Sequence, residues 1–176
     1  MVVAENIVEN KQAGMLAVDI CRIEIQDCLD FIVTAFQDDK DFINKYHFQD
    51  ETMDDLIENN FSNIKKLAET KEVKCYALFL EQIPIGFTVI SEKLLYSFGI
   101  NIHCRQADVV LIWFTWIKKI FENNFVVALY RENTRAINFF LRIGLEEFSD
   151  DGKVIYLLYN NKNLKLCPEQ AVEATH

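Results

Sequence analysis

Residues 125–130 (F-V-V-A-L-Y) form an unbroken apolar run of strand length, with no polar residue to face water on either side. A strand of that kind is buried on both faces, so the chain must cover its sheet from above and below. Striped segments elsewhere supply the cover. Asp27 is a candidate N-cap for a helix through Phe36, with Leu29, Ile32, Val33 and Phe36 at helical spacing. Residues 52–71 read as a second helix, with Met53, Leu56, Ile57, Phe61, Ile64 and Leu67 on one stripe. Residues 105–123 form a third, apolar almost all round, which belongs packed against a sheet. An alternative is that its Trp113, Phe114 and Trp116 mark an oligomer face. Asn133 caps a fourth helix over 134–143, and Gly144 stands where a left-handed residue ends it.

The remaining apolar segments have strand period. Val18, Ile20, Ile23 and Ile25 alternate with polar residues over 15–25. Residues 73–80 and 85–91 flank Gln82-Ile83-Pro84, a hairpin connection, and 95–102 follow. Residues 145–148 and 154–159 close as a hairpin through Asp150-Asp151-Gly152. The order is strand, two helices, three strands, helix, strand, helix, two strands. It predicts a single α/β (α+β) domain with a mixed, mostly antiparallel sheet of six to seven strands and helices on both faces. The domain spans 15–160, between an N-terminal extension (1–14) and a C-terminal tail (161–176).

A chain of 176 residues suits one core, and two prolines and five glycines leave little room for linkers. The net charge of −9 argues against nucleic acid, which calls for a basic stripe, and favours a cationic or amine-bearing partner. Five scattered cysteines with no C-x-x-C pair exclude the common zinc spacings and point to a reducing compartment. Residues 1–14 lack the blocks of a signal peptide, and the most apolar run, 109–117, is too short to span a membrane. A soluble, cytoplasmic protein without membrane or metal is expected.

Residues 129–145 read L-Y-R-E-N-T-R-A-I-N-F-F-L-R-I-G-L. By themselves these residues describe an amphipathic helix with a cap and a glycine stop. With the element order around them, they resemble the strand-to-helix signature of the GNAT N-acetyltransferases, through Asn133, Ala136, Phe139, Phe140, Arg142 and Gly144. Leu145 stands in place of the final Phe. The resemblance implies that coenzyme A enters a gap between two splaying parallel strands, here 95–102 and 125–130. Backbone groups around Ile100 and Ile102 are then expected to hold the pantetheine arm. The pyrophosphate meets the next helix N-terminus, among Arg105, Gln106, Ala107, Asp108 and Val109, where free amides favour an anion. Asn133, Asn138 and Arg142 line the far side, with Phe140 beside them.

Two departures stand out. The family's pyrophosphate loop carries glycines, and residues 102–110 (I-H-C-R-Q-A-D-V-V) contain none. Either Arg105 pairs with the pyrophosphate while the first helical amides do the rest, or Asp108 caps a core helix and the loop binds nothing. Phe140 stands where many members place a tyrosine that protonates the departing thiolate. Tyr130 is the expected substitute, with Cys104 or a water as others. His103 is the candidate base, or a loop histidine of no consequence, with Glu92 and Tyr96 on nearby segments. His47 in the acidic loop reads as surface.

The resemblance therefore implies an N-acetyltransferase using acetyl-coenzyme A as co-substrate. The acceptor is a primary amine of a small molecule or peptide, attacking directly in a ternary complex formed by a monomer or homodimer. The acceptor is expected over the first two helices, drawn by Asp38, Asp39, Asp41, Asp50 and Glu51. The alternative is a degenerate GNAT-fold module that binds coenzyme A or a partner without transfer.

Overall fold

The structure is a computed structural model that describes residues 17–39, 52–122 and 124–160. The expected extension and tail, and His47, Asp41, Asp50, Glu51 and Cys167, lie outside the described residues.

Strand β1 (Val18–Ile23) leads through a 3-10 turn (Ile25–Asp27) into helix α1 (Cys28–Phe36). Asp27 is itself helical (φ −82°, ψ −12°) and its side chain makes no capping bond, because the turn has already started the helix. The expectation that Asp27 caps is corrected. Helix α2 (Met53–Thr70) begins with a full capping box: Thr52 Oγ1 accepts from the Asp55 amide at 3.1 Å and Asp55 Oδ2 accepts from the Thr52 amide at 2.8 Å.

Strands β2 (Val73–Leu80), β3 (Ile83–Ser91) and β4 (Leu94–Ile100) form an antiparallel meander. The first turn is Glu81-Gln82, both at positive φ (51° and 70°), the two-residue geometry that suits strand twist. Ile83 and Pro84 thus belong to β3, not to the connection as expected. Helix α3 (Ala107–Ile120), β5 (Asn124–Tyr130), α4 (Thr134–Arg142) and the hairpin β6 (Glu146–Asp150) and β7 (Val154–Asn160) follow among the described residues. Gly144, at φ +98°, ends α4 as expected. Among the described residues seven strands lie in the order β1-β2-β3-β4-β5-β7-β6, and of their neighbouring pairs only β4 and β5 run parallel.

Two apolar layers hold the sheet. On one face α1 and α2 pack Ile32, Ala35, Phe36, Ile57 and Ile64 against Cys75, Phe87 and Val89. On the other, α3 and α4 pack Trp113, Phe114, Trp116, Ile117 and Phe140 against Leu78, Ile90, Leu95, Phe125 and Val127. Trp113, Phe114 and Trp116 are 2 %, 3 % and 3 % exposed, so they are core and not an oligomer face. The Trp113 indole N–H finds its partner in the buried Thr88 hydroxyl of β3 at 2.9 Å, which fixes α3 over the sheet. Gly99 brings α1 close to β4, since a Cβ there would stand 2.9 Å from the Ala35 Cβ.

Candidate functional site

Strands β4 and β5 are paired only at Leu94 with Val126 and Leu95 with Val127. Beyond that point they part, and the local cause is visible in β4. Val89 faces Ser97 while the next residue, Ile90, faces Leu95, so Tyr96 is an extra residue and forms a bulge. A bulge bends its strand, and here β4 stays with β3 and leaves β5.

The backbone of β4 beyond the bulge has a definite polarity. The Asn101 amide donates to the Ile85 carbonyl at 2.7 Å, which makes that a hydrogen-bonded pair. By antiparallel alternation Phe98 and Ile100 are non-bonded positions, so their amides and carbonyls point away from β3, into the gap that β5 has vacated. One of these groups is already used: the Ile100 carbonyl accepts from Arg105 Nε at 2.6 Å. Free groups on this edge thus centre on Phe98, which the sequence did not suggest. Ile102 lies beyond the strand in a 3-10 turn (Ile102–Cys104).

The gap opens into a cavity of about 900 Å³ between β4, α3 and α4. Its walls are Phe98, Gly99, Ile100 and Ile102 from β4 and the following turn, Ala107, Val110, Trp113 and Phe114 from α3, and Asn133, Arg135, Ala136, Phe139, Phe140 and Ile143 around α4. Phe36, Asp39 and Arg105 also line it. The volume suits an elongated organic ligand, and the lining is apolar with a few polar groups near the helix starts.

At the start of α3 the N-cap is Gln106, whose side chain makes no capping bond. Asp108 is a second-position residue, exposed at the surface, and caps nothing, which corrects the expectation that its carboxylate occupies the first amides. The first amide bonded within the helix is that of Val110, to the Gln106 carbonyl at 3.1 Å. The amides of Ala107, Asp108 and Val109 are left as the unpaired donors that every helix start carries.

Of the residues named from the sequence, Ile100, Ile102, Arg105, Ala107, Asn133 and Phe140 line this one cavity. Asn133 spends its side-chain oxygen on the Ala136 amide (3.2 Å), capping α4. Phe140 is wholly buried among Phe98, Trp113, Phe114 and Phe139, with ring centroids 5.2–6.5 Å apart. Gln106 and Asp108 do not line it, and the Val109 side chain is in the core. Asn138 and Arg142 sit on exposed positions of α4, away from the cavity, because they fall on the opposite side of the helix from Ala136 and Phe140. The cation that α4 does bring to the cavity is Arg135, exposed on its first turn, which sequence reading passed over.

His103 is exposed on the 3-10 turn and outside the cavity walls. Tyr130, 53 % exposed, ends β5 on the face covered by α1 and α2. Tyr96, half-buried at the bulge, packs on the same layer. Burial, and then the nearby Tyr130 phenol, push the Tyr96 hydroxyl above its ordinary pKa of 10.0 and keep it protonated. Of the residues expected to form an acidic rim, Asp39 is withdrawn from it, buried against Arg105, while Asp38 stays exposed and accepts from Asn101 Nδ2 (3.0 Å). Among the described residues no cluster of His, Cys, Asp and Glu is arranged to hold a metal, and no helix is long and apolar enough to cross a membrane.

No family model matches the chain, and no curated protein sequence does. Solved structures do. The PaiA N-acetyltransferase of Thermoplasma acidophilum, in complex with coenzyme A, matches with TM-score 0.59 at 15% identity, over 82% of this chain and 99% of that one. An acetyltransferase from Thermus thermophilus matches with TM-score 0.58 at 15% identity, over 82% of this chain and 97% of that one. The N-acetyltransferase PseH of Campylobacter jejuni, in complex with acetyl coenzyme A, matches with TM-score 0.51 at 15% identity, over 82% and 99%. At such identities the likeness establishes architecture and not chemistry. The chain has the fold of the GNAT N-acetyltransferases.

Proposed function

We propose that the protein is an acyl-coenzyme A-dependent N-acyltransferase, most simply one that moves acetyl from acetyl-coenzyme A to a primary amine. One observation carries this reading. The β4–β5 gap, edged by unpaired backbone groups at Phe98, leads through an apolar cavity to the unpaired amides at the start of α3. That sequence of surfaces suits an amide-bearing arm followed by a diphosphate. Arg135, on the opposite wall, adds a cation for the phosphates. The solved structures of the same fold that hold coenzyme A or acetyl coenzyme A support the choice of ligand.

In this reading the amine nitrogen attacks the thioester carbon directly, the C–S bond breaks, the nitrogen gives up one proton to water, and the thiolate takes one. The protein contributes position and polarisation by strand amides. Tyr96 and Tyr130, the phenols on the far side of the bulge, are the proposed proton donors, Tyr96 being held protonated. Residues 1–14 and 161–176 are proposed as extensions of the single domain. The protein is proposed to act in the cytoplasm on a cationic amine.

The second reading is a GNAT-fold module that binds without transfer. It is favoured by Phe140, which brings no hydroxyl into the dry aromatic cluster where a family tyrosine is expected. Titration calorimetry with acetyl-coenzyme A, followed by thiol release across a panel of amines, separates the readings. Saturable heat with amine-dependent thiol release is expected. Heat without release selects the module, and no heat at millimolar ligand removes both forms of the coenzyme A assignment.

A further inference from the structure

We propose that Arg105 is a positioning residue that builds the phosphate bed, and not itself a phosphate ligand. The proposal rests on the reading of the α3 start as the place where a coenzyme A diphosphate lies.

The connection between β4 and α3 contains no glycine, and its described backbone stays at negative φ: −51° at Asn101, −76° at Arg105 and −70° at Gln106. A loop of ordinary residues has no left-handed kink to hold its shape, so something else must fix where the first helical amides point. Two side chains do so, one at each end of the loop. Asn101, 8 % exposed, uses its whole amide: Oδ1 accepts from the His103 amide at 3.0 Å, and Nδ2 donates to the Thr34 carbonyl at 2.8 Å and to Asp38 Oδ2 at 3.0 Å. Arg105 donates Nε to the Ile100 carbonyl at 2.6 Å and sets Nη2 2.7 Å from Asp39 Oδ2.

Both ties anchor the loop to the C-terminal end of α1. The guanidinium fork reaches backward to the last residue of β4 and sideways to Asp39, bracing the turn from within. Asp39 is 4 % exposed, so its charge is removed from water and committed to this pair. The contact is an ion pair without the alignment of a good hydrogen bond, which leaves Asp39 Oδ2 under-satisfied beside the cavity. A diphosphate ligand for Arg105 would have to compete with a carboxylate already in place and would itself be repelled by that carboxylate. As a brace, by contrast, Arg105 needs Asp39, and the pair brings no net charge to the bed. The anion is then held by the amides of Ala107, Asp108 and Val109.

The opposite charge signs of the two roles give the test. If Arg105 ligates phosphate, Asp39→Asn frees it and tightens acetyl-coenzyme A, while Arg105→Lys keeps most of the affinity. If Arg105 positions, both substitutions loosen the loop, and each raises the Kd for acetyl-coenzyme A by about tenfold or more. Binding of S-acetylpantetheine, which lacks the diphosphate, stays within about twofold in both variants, because its arm contacts β4 and not the loop.

Hydrogen exchange over residues 101–109 of the free protein is read alongside. It rises in Asp39→Asn if the brace exists, whether or not the wild-type chain binds coenzyme A, so failure of the ligand assignment is distinguishable from failure of the brace. The double variant Asp39→Leu/Arg105→Met, which leaves no lone buried charge, covers the case in which a single variant does not fold. It too is expected to lose affinity with raised exchange. Tightened binding in Asp39→Asn, or unchanged exchange in the folded variants, overturns the proposal.

Discussion

Tyr96 is the residue where the strand's irregularity and the proposed chemistry meet. It exists as a bulge because Val89 and Ile90 skip it, and the bulge both opens the gap and leaves a half-buried phenol beside it. Because burial and Tyr130 hold that phenol protonated, it is suited to give a proton and unsuited to take one at neutral pH. Tyr96→Phe is expected to lower kcat by about 10²-fold or more with little change in the KM for acetyl-coenzyme A. Tyr130→Phe tests the other phenol in the same assay, and unchanged kcat in both variants removes the pair from the mechanism. Arg135 offers a separate test. Arg135→Ala is expected to weaken acetyl-coenzyme A about tenfold and to flatten its salt dependence, without moving the thermal midpoint. These residues differ in how far the sequence reveals them. Phe140 and Asn133 lie in a recognisable string, whereas Arg135 looks like any exposed cation until the two helices are placed. Phe98 acts through its backbone, which no side chain announces.

At the scale of elements, the pattern of the apolar residues located every strand and helix of the described chain, because most bury one stripe or face and β5 buries both. Ends were less legible. The 3-10 turn before α1, the capping box of α2 and the turn after β4 depend on a few local bonds that the apolar pattern does not encode. The Arg105–Asp39 pair joins segments far apart in sequence, so the loop read by itself left open whether Arg105 meets a pyrophosphate, and the ion pair became visible only in the fold. Helix α4 carries its own prediction. Asn133 both caps α4 and lines the cavity, and two substitutions separate these roles. Asn133→Ala is expected to cost about 1 kcal/mol in denaturant unfolding. Asn133→Asp keeps the cap and the stability, yet weakens acetyl-coenzyme A by placing a negative charge near the phosphates.

Across the whole molecule, the order of elements was legible because a doubly buried strand and one-faced helices permit few layered arrangements. The splay was not, since it depends on where one strand stops pairing. The titrating groups set a pH window for the fold. The Cys28 thiol is raised above its ordinary value of 9.0 by its hydrogen bond with Cys75 and by burial, and the same bond lowers Cys75, so of the two thiols it is Cys28 that keeps its proton in the fold. Above pH 9 the unfolded chain releases a proton that the folded chain keeps, so this stability is whole below pH 9 and is lost as pH rises. For one such group the slope approaches about 1.4 kcal/mol per pH unit. Asp55, lowered from 3.8 by its bonds to Thr52, acts in the other direction: its contribution is present above that value and fades as pH falls through the depressed one. Urea midpoints are thus expected to hold between about pH 5 and 8.5 and to fall on both sides.

All of this chemistry depends on the gap between β4 and β5 accepting a phosphopantetheine arm. The electron density of the protein crystallised with acetyl-coenzyme A tests this most directly. The expected density shows the arm between the two strands, bonded to the Phe98 backbone, with the diphosphate on the amides of residues 107–109 and Arg135 across from it. Strands zipped together past Leu95 and Val127, or the ligand bound elsewhere on the surface, would contradict it.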